Sequence, residues 1–291
     1  MFWQQLINGL VIGSIYSVLA IGYSMVYGMI RMMNFAHGDI LMFGTFLTIT
    51  FILIGIPLPL AILLGIVTGT LVALFVAALA YMPLLNRPRN GLVLSSVGAS
   101  FLLVNSAQLI WGTSVKPFPF IDDLPTSVHQ VGNLIISDIQ IIVLVTCLVS
   151  MLLLTLFVQT TKVGIAMRAT SDNMVAANLM GISPRFIVYA TFAIGSIMAV
   201  IGGVLVAISY NSIWPTMGFK IGLAAFSASI LGGIGSIPGA MLGGIIIGIG
   251  ESLGASYVSS GFRDGVAFAV LIITLLIRPW GLLGKPEVEN I

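Results

Sequence analysis

Residues 141–158, IIVLVTCLVSMLLLTLFV, carry no charge, and runs of similar length and character recur from one end of the 291-residue chain to the other. The hydrocarbon core of a bilayer is crossed by a helix of roughly 20 apolar residues. Charged side chains make up only 7% of the sequence and hydrophobic ones 58%, against roughly 25% charged in soluble domains. Mean hydropathy is +1.15. A soluble protein is excluded. A transmembrane barrel would show segments of about ten residues alternating apolar and polar, and the run above has no such alternation. The class is all-α, a polytopic membrane helix bundle.

Apolar length set against polar interruptions gives candidate spans near 5–29, 39–56, 60–81, 92–111, 138–159, 186–210, 220–236, 238–258 and 264–278. That makes nine crossings, or eight if 39–56 or 220–236, both short, is a re-entrant or broken helix. Membranes accept such irregular backbone only where protein or a water-filled cavity satisfies it. With the N-terminus outside, nine crossings put Arg31, Arg87, Arg89, Lys162, Arg168, Arg185, Arg278 and Lys285 on one side and Lys116, Lys220 and Arg263 on the other. An excess of cations marks the cytoplasmic face. The C-terminus is then cytoplasmic, as is the loop 160–185, and 112–137 is the largest external loop. The opening MFWQQLINGLVIG lacks a positive n-region, so the first helix is read as retained rather than as a signal peptide. One transmembrane domain, 1–291, is expected.

Glycine, 33 in all, recurs at four-residue spacing: Gly9 and Gly13, Gly65 and Gly69, Gly235, Gly239 and Gly243, Gly244 and Gly248. Small residues one turn apart let helix backbones approach closely in lipid, so a tightly packed bundle is expected. In ILGGIGSIPGAMLGGIIIGIG, Pro238 breaks the helix, and a gating or broken-helix role stands beside packing. The single cysteine, Cys147, lies in an apolar run and reads as a packing residue, with no disulfide framework.

Enzyme chemistry finds no support. No phosphate loop occurs, since GLLGKPE places Pro286 where a magnesium-binding hydroxyl is needed. Two histidines far apart and one cysteine make no zinc site of usual spacing, and no G-x-S-x-G elbow is present. Polar residues inside apolar spans are the better candidates, because ionisable groups in a membrane are costly. Glu251 could serve proton coupling, bond a neighbouring helix or meet a substrate ammonium, or it could sit in a wet external region. Ser95, Ser96, Asn105 and Gln108 in the fourth span could line a hydrated path for a polar solute or bond between helices. The loop TTKVGIAMRATSDNMVAANLMGISPR is expected to hold one helix from Ile165 to Met180, stopped by Gly181 and Pro184, suited to dock on a soluble partner. NFAHGD, residues 34–39, reads first as a helix end near water, with Asp39 meeting free amides of the next helix. His37, Gly38 and Asp39 keep a gating role as the alternative.

These residues resemble a known family. Ala176, Ala177 and Gly181 match the "EAA" coupling loop of ABC-importer permeases, although Val175 stands where that motif has glutamate and the downstream Ile-x-Leu-Pro is absent. The closer resemblance is to branched-chain amino acid importer permeases. NGLVIGSIYSVLAIGYSMVYGMIRMMNFAHGDILMFG is similar to their N-terminal signature, and VGIAMRATSDNMVAANLMGI to their coupling loop. LGGIGSIPGAMLGG matches their glycine-rich segment and RPWGLLGKPEVE their C-terminus. The resemblance implies one of two homologous permease subunits in a bacterial plasma membrane. Its partners would be two cytoplasmic ATPases that use ATP and a periplasmic or extracellular protein delivering leucine, isoleucine or valine. It also implies coupling roles for Arg168, Asp172, Ala176, Ala177 and Gly181. No metal, no cofactor in this chain and no nucleic acid are expected. Permeases for urea, short amides or other amino acids resemble it too, and a proton-coupled transporter using Glu251 is the competing class.

Overall fold

In the computed structural model, residues 2–30, 33–85, 89–119, 124–132 and 134–284 are described, and among them the chain forms eleven α-helices. These are α1 (Phe2–Ile30), α2 (His37–Leu53), α3 (Leu58–Val76), α4 (Arg89–Trp111), α5 (Asp138–Thr160), α6 (Lys162–Asp172), α7 (Met174–Leu179), α8 (Pro184–Tyr210), α9 (Met217–Gly232), α10 (Ile237–Tyr257) and α11 (Arg263–Ile277). A π turn and a 3-10 turn prolong α3 to Leu84. Every apolar segment read from the sequence is helical. Six helical stretches are long and apolar enough to cross a membrane: Phe2–Met29, Leu58–Leu84, Asn90–Trp111, Asp138–Thr160, Pro184–Tyr210 and Ile237–Tyr257. Three apolar helices are shorter: His37–Leu53, Met217–Gly232 and Gly265–Ile277. Arg31, Arg87 and Lys285 lie outside the described residues.

Helix ends follow local chemistry. Ser137 and Gln140 form a reciprocal capping box at α5. Pro238 does not break a helix from within; it stands in the first turn of α10, where a missing amide costs nothing. The break falls just before it, at Gly233 and Gly235, whose φ of 105° and 88° suit glycine. At the loop end of the bundle, β1 (Lys116–Pro117) pairs with β4 (Ser212–Ile213), and β2 (Val128–Val131) with β3 (Leu134–Ser137). The helices α6 and α7 mark the opposite end.

The centre is made by α1, α8, α2, α9 and α10. The most extensive contact joins α1 to α10, and glycine makes it possible. A Cβ on Gly9 would lie 2.6 Å from Ile249 Cα, and one on Gly13 2.8 Å from Ile245 Cα; a Cβ on Gly248 would strike Gly13 itself. Ser17 Oγ donates to Met241 O at 2.6 Å and Ser252 Oγ to Gln5 O at 2.8 Å across the same seam. Gly239 and Gly243 pack on Gly232 and Ala228 of α9, Gly65 on Thr48, and Gly69 on Val200. Outer helices expose apolar side chains such as Leu94, Leu109, Leu148, Leu152 and Leu276, a surface fit for lipid.

One arrangement occurs twice. A long helix (α1, 29 residues; α8, 27 residues) is followed by a connector and a short helix (α2, 17 residues; α9, 16 residues). Each short helix lies along the other pair's long one, α2 on α8 and α9 on α1. Both begin inside the bundle. His37, the first residue of α2, packs on Gly22 of α1, eight residues and so about 12 Å before that helix ends. There the two starts meet reciprocally: a Cβ on Gly38 would collide with Gly218 O, and one on Gly218 would lie 2.5 Å from Gly38 O. From this point the helices run to opposite ends of the bundle.

Candidate functional site

The meeting point is built locally by Asn34. Its Oδ1 accepts from Ala36 N at 3.1 Å and its carbonyl from His37 N at 3.2 Å, a side-chain turn that leads into α2. The His37 ring lies 4.5 Å from the Tyr23 ring, centroid to centroid, and between Gly22 and Gly195. Asn34, His37 and Asp39 are only 2%, 2% and 1% exposed. The expected helix end near water is therefore corrected. Residues 34–39 lie within the protein, and Asn34, His37 and Asp39 are interior. Asp39 does not cap its own helix either. Its Oδ2 accepts from Ser100 Oγ of α4 at 2.5 Å, while Oδ1, with Asn34 Nδ2 and His37 Nε2, has no hydrogen-bond partner among the described residues. Two helix N-termini meet here, and their dipoles put positive potential around the carboxylate.

Beside the start of α9 a cavity of about 330 Å³ opens, lined by α1, α9, α10 and the turn into α11. Glu251, 2% exposed, lines it and accepts a hydrogen bond from Tyr16 at 2.8 Å. Lys220 and Arg263 line the same space, with Tyr210 and Trp214. The Arg263 guanidinium stands 5.7 Å from the centre of the Tyr210 ring, and its Nε is buried without a hydrogen-bond partner. Sequence reading singled out Glu251 but missed its company. The signal was there in part, since Lys220 and Arg263 are two of the three cations assigned to that end.

At the other end, residues 162–179 form two helices and not the single one expected from Ile165 to Met180. Asn173 takes extended backbone, φ −153° and ψ 103°, and its side chain caps α7 by accepting from Ala176 N. Ser, Asp and Asn favour such caps over helix interiors, and Ser171-Asp172-Asn173 supplies three in a row. Ala177 is buried on the body, while Asp172, Ala176 and Gly181 are exposed, as are Val175, Leu179 and Met180. Gly181 ends the unit with φ 86°. Arg168 donates to Gln159 O at 3.2 Å, and Ser171 Oγ to Gly28 O at 2.9 Å, which ties α6 to the end of α1. Arg168 and Pro238 also line a second cavity of about 270 Å³ between α1, α5, α6 and α10.

The fourth-span candidates are not brought together with Glu251. They lie on α4, a peripheral helix. Ser96 is buried and bonds Val93 O of its own helix; Asn105 is exposed and bonds Phe101 O; Ser95 and Gln108 are half-buried. Ser100 of α4 reaches the centre through Asp39, and Trp111 bonds Thr50 of α2 at 2.8 Å. Among the described residues no group of three or more His, Cys, Asp or Glu could hold a metal.

Comparison with known proteins gives a concordant result. Residues 5–275 match the family described as branched-chain amino acid transport system / permease component. The chain is 39% identical to the high-affinity branched-chain amino acid transport system permease protein BraD of Pseudomonas aeruginosa, covering all of this chain and 98% of that one. It is equally 39% identical to the corresponding LivH protein of Escherichia coli K12, again over 100% and 98% of the two chains. A solved structure, PsaBC from Streptococcus pneumoniae in complex with Fab, matches over 95% of this chain and 91% of that one, with a TM-score of 0.52 and 14% identity. That likeness concerns the fold alone.

Proposed function

Because the chain belongs to the branched-chain amino acid transport permease family, and so is a permease subunit of an ABC importer and not an enzyme, we propose that it conducts leucine, isoleucine or valine into a bacterial cytoplasm. The observation that carries this is the end-to-end 39% identity to BraD and LivH. Its transport system would comprise a second homologous permease, two cytoplasmic ATPases and an external binding protein, in the inner membrane. Residues 1–291 would act as one domain with nine passages, α2 and α9 each completing a passage begun by its connector. The end bearing α6 and α7 would face the cytoplasm; Lys162, Arg168, Arg185 and Arg278 fit that side.

Coupling would run through α6 and α7. Exposed Val175, Leu179 and Met180 offer an apolar tip to a partner groove, and Ser171 passes motion of α6 to the end of α1. Two-state movement of packed helices of this kind can open and close a path. His37, Gly38 and Asp39 would sit at the pivot. The test is co-purification of the tagged chain with its partners, then reconstitution with binding protein and labelled leucine. ATP-dependent uptake supports the reading. Uptake driven by a proton gradient without ATP, or purification as a lone homo-oligomer, overturns it. In the same assay Arg168→Glu or Gly181→Val should leave ATP hydrolysis in place and abolish uptake.

A further inference from the structure

We propose that the cavity at the start of α9 is a binding site within this subunit for a zwitterionic α-amino acid, its ammonium at Glu251 and its carboxylate at Arg263. The inference rests on the permease reading and adds where the solute stands. A carboxylate 2% exposed inside an apolar bundle is costly unless its charge is used. Here it shares one cavity with two cations, Lys220 and Arg263, so both poles of an amino acid find an opposite charge in the same space. A carboxylate has lone pairs for several donors, so the Tyr16 hydroxyl and a ligand ammonium can share Glu251. In the same lining the buried Nε of Arg263 has no acceptor among the described residues, and a guanidinium fork matches a carboxylate.

The cationic side is reinforced by backbone. Lys220 and Ile221 line the cavity from the first turn of α9, a helix whose N-terminus has no side-chain cap. The helix dipole adds positive potential toward that end of α9. Broken helices that start inside a bundle present this end to the carboxylate of a substrate in other transporters. The remaining lining includes Ile12, Ile15 and Val206, which suit an aliphatic side chain. A volume of about 330 Å³ falls at the small end of the range for small-molecule sites.

The assembled importer, in nanodiscs without its binding protein, is titrated with tritiated leucine by equilibrium dialysis. Saturable binding is expected, displaced by norleucine but not by leucinamide or 4-methylpentanoate, each of which lacks one pole. Glu251→Gln and Arg263→Gln should each weaken binding about tenfold or more, with the assembly intact by size and thermal stability. Asn105→Ala, on the peripheral α4 where the side chain bonds Phe101 O of its own helix, should bind within about threefold of wild type. Absence of saturable binding, unchanged binding in both charge variants, or equal displacement by the single-pole analogues overturns the site. Loss of ATP-driven uptake by the wild-type assembly would instead sink the permease reading, so the two failures are distinct.

Discussion

The two helices that begin inside the bundle are alike in backbone and opposite in what surrounds them. At α2 the start is sealed: the His37 ring fills the space between Gly22 and Gly195, and Asn34 and Asp39 are buried with it. At α9 the start is open: Trp214 is half-buried, Lys220 is exposed, and a cavity of about 330 Å³ lies alongside. The helix lengths and the glycine contact between Gly38 and Gly218 are shared. A helix N-terminus within a membrane protein is therefore not in itself a site. Filled by its own side chains it would serve as a fulcrum, and left open it would offer the place we propose for a solute.

The comparison breaks most directly at the contact both starts share. Gly38→Val would drive its side chain into the Gly218 carbonyl, and neither backbone can step aside. A loss of about 3 kcal/mol or more is expected, read as failure to recover an assembled, monodisperse protein. Normal recovery would mean the two starts do not abut. His37→Ala empties the sealed start and should cost about 2–3 kcal/mol in thermal denaturation of the detergent complex. Phe219→Ala, at the open start and 62% exposed, should cost about 1 kcal/mol or less; equal costs would erase the distinction. Ser100→Ala removes the one hydroxyl seen to bond Asp39, with an expected cost of about 1–2 kcal/mol. The smallest effect belongs to Asn211→Gly in the α9 connector. Asn211 already sits at φ 48°, which glycine also accepts, so the change should stay within about 0.5 kcal/mol.

The helices themselves were legible in the sequence, because an apolar run long enough for lipid leaves few alternatives to a helix. The four-residue glycine spacing likewise foretold close packing, and Gly9, Gly13, Gly244 and Gly248 meet as that pattern requires. Depth was not legible. Apolar length measures thickness and says nothing about where a helix starts, so NFAHGD, with three polar side chains, was read as surface. Its carboxylate instead meets Ser100, a partner 61 residues away, and the converging N-termini. The pairing of Tyr16 with Glu251 spans 235 positions, and no periodicity connects residues so distant. The break at Asn173 carried a local sign, but without Gly or Pro the capping triplet was outweighed by the helical pattern around it.

The seam between α1 and α10 also sets a schedule. Helix α1 finds its main partner only in α10, roughly two hundred residues later, which at ordinary elongation rates is on the order of 10–40 s. Through that interval the glycine face of α1 must wait in lipid, or behind a chaperoning surface, with its groove unfilled. A chain arrested before Ile237 would present that groove permanently, so incomplete synthesis leaves a visible mark for quality control on a segment inserted long before the arrest.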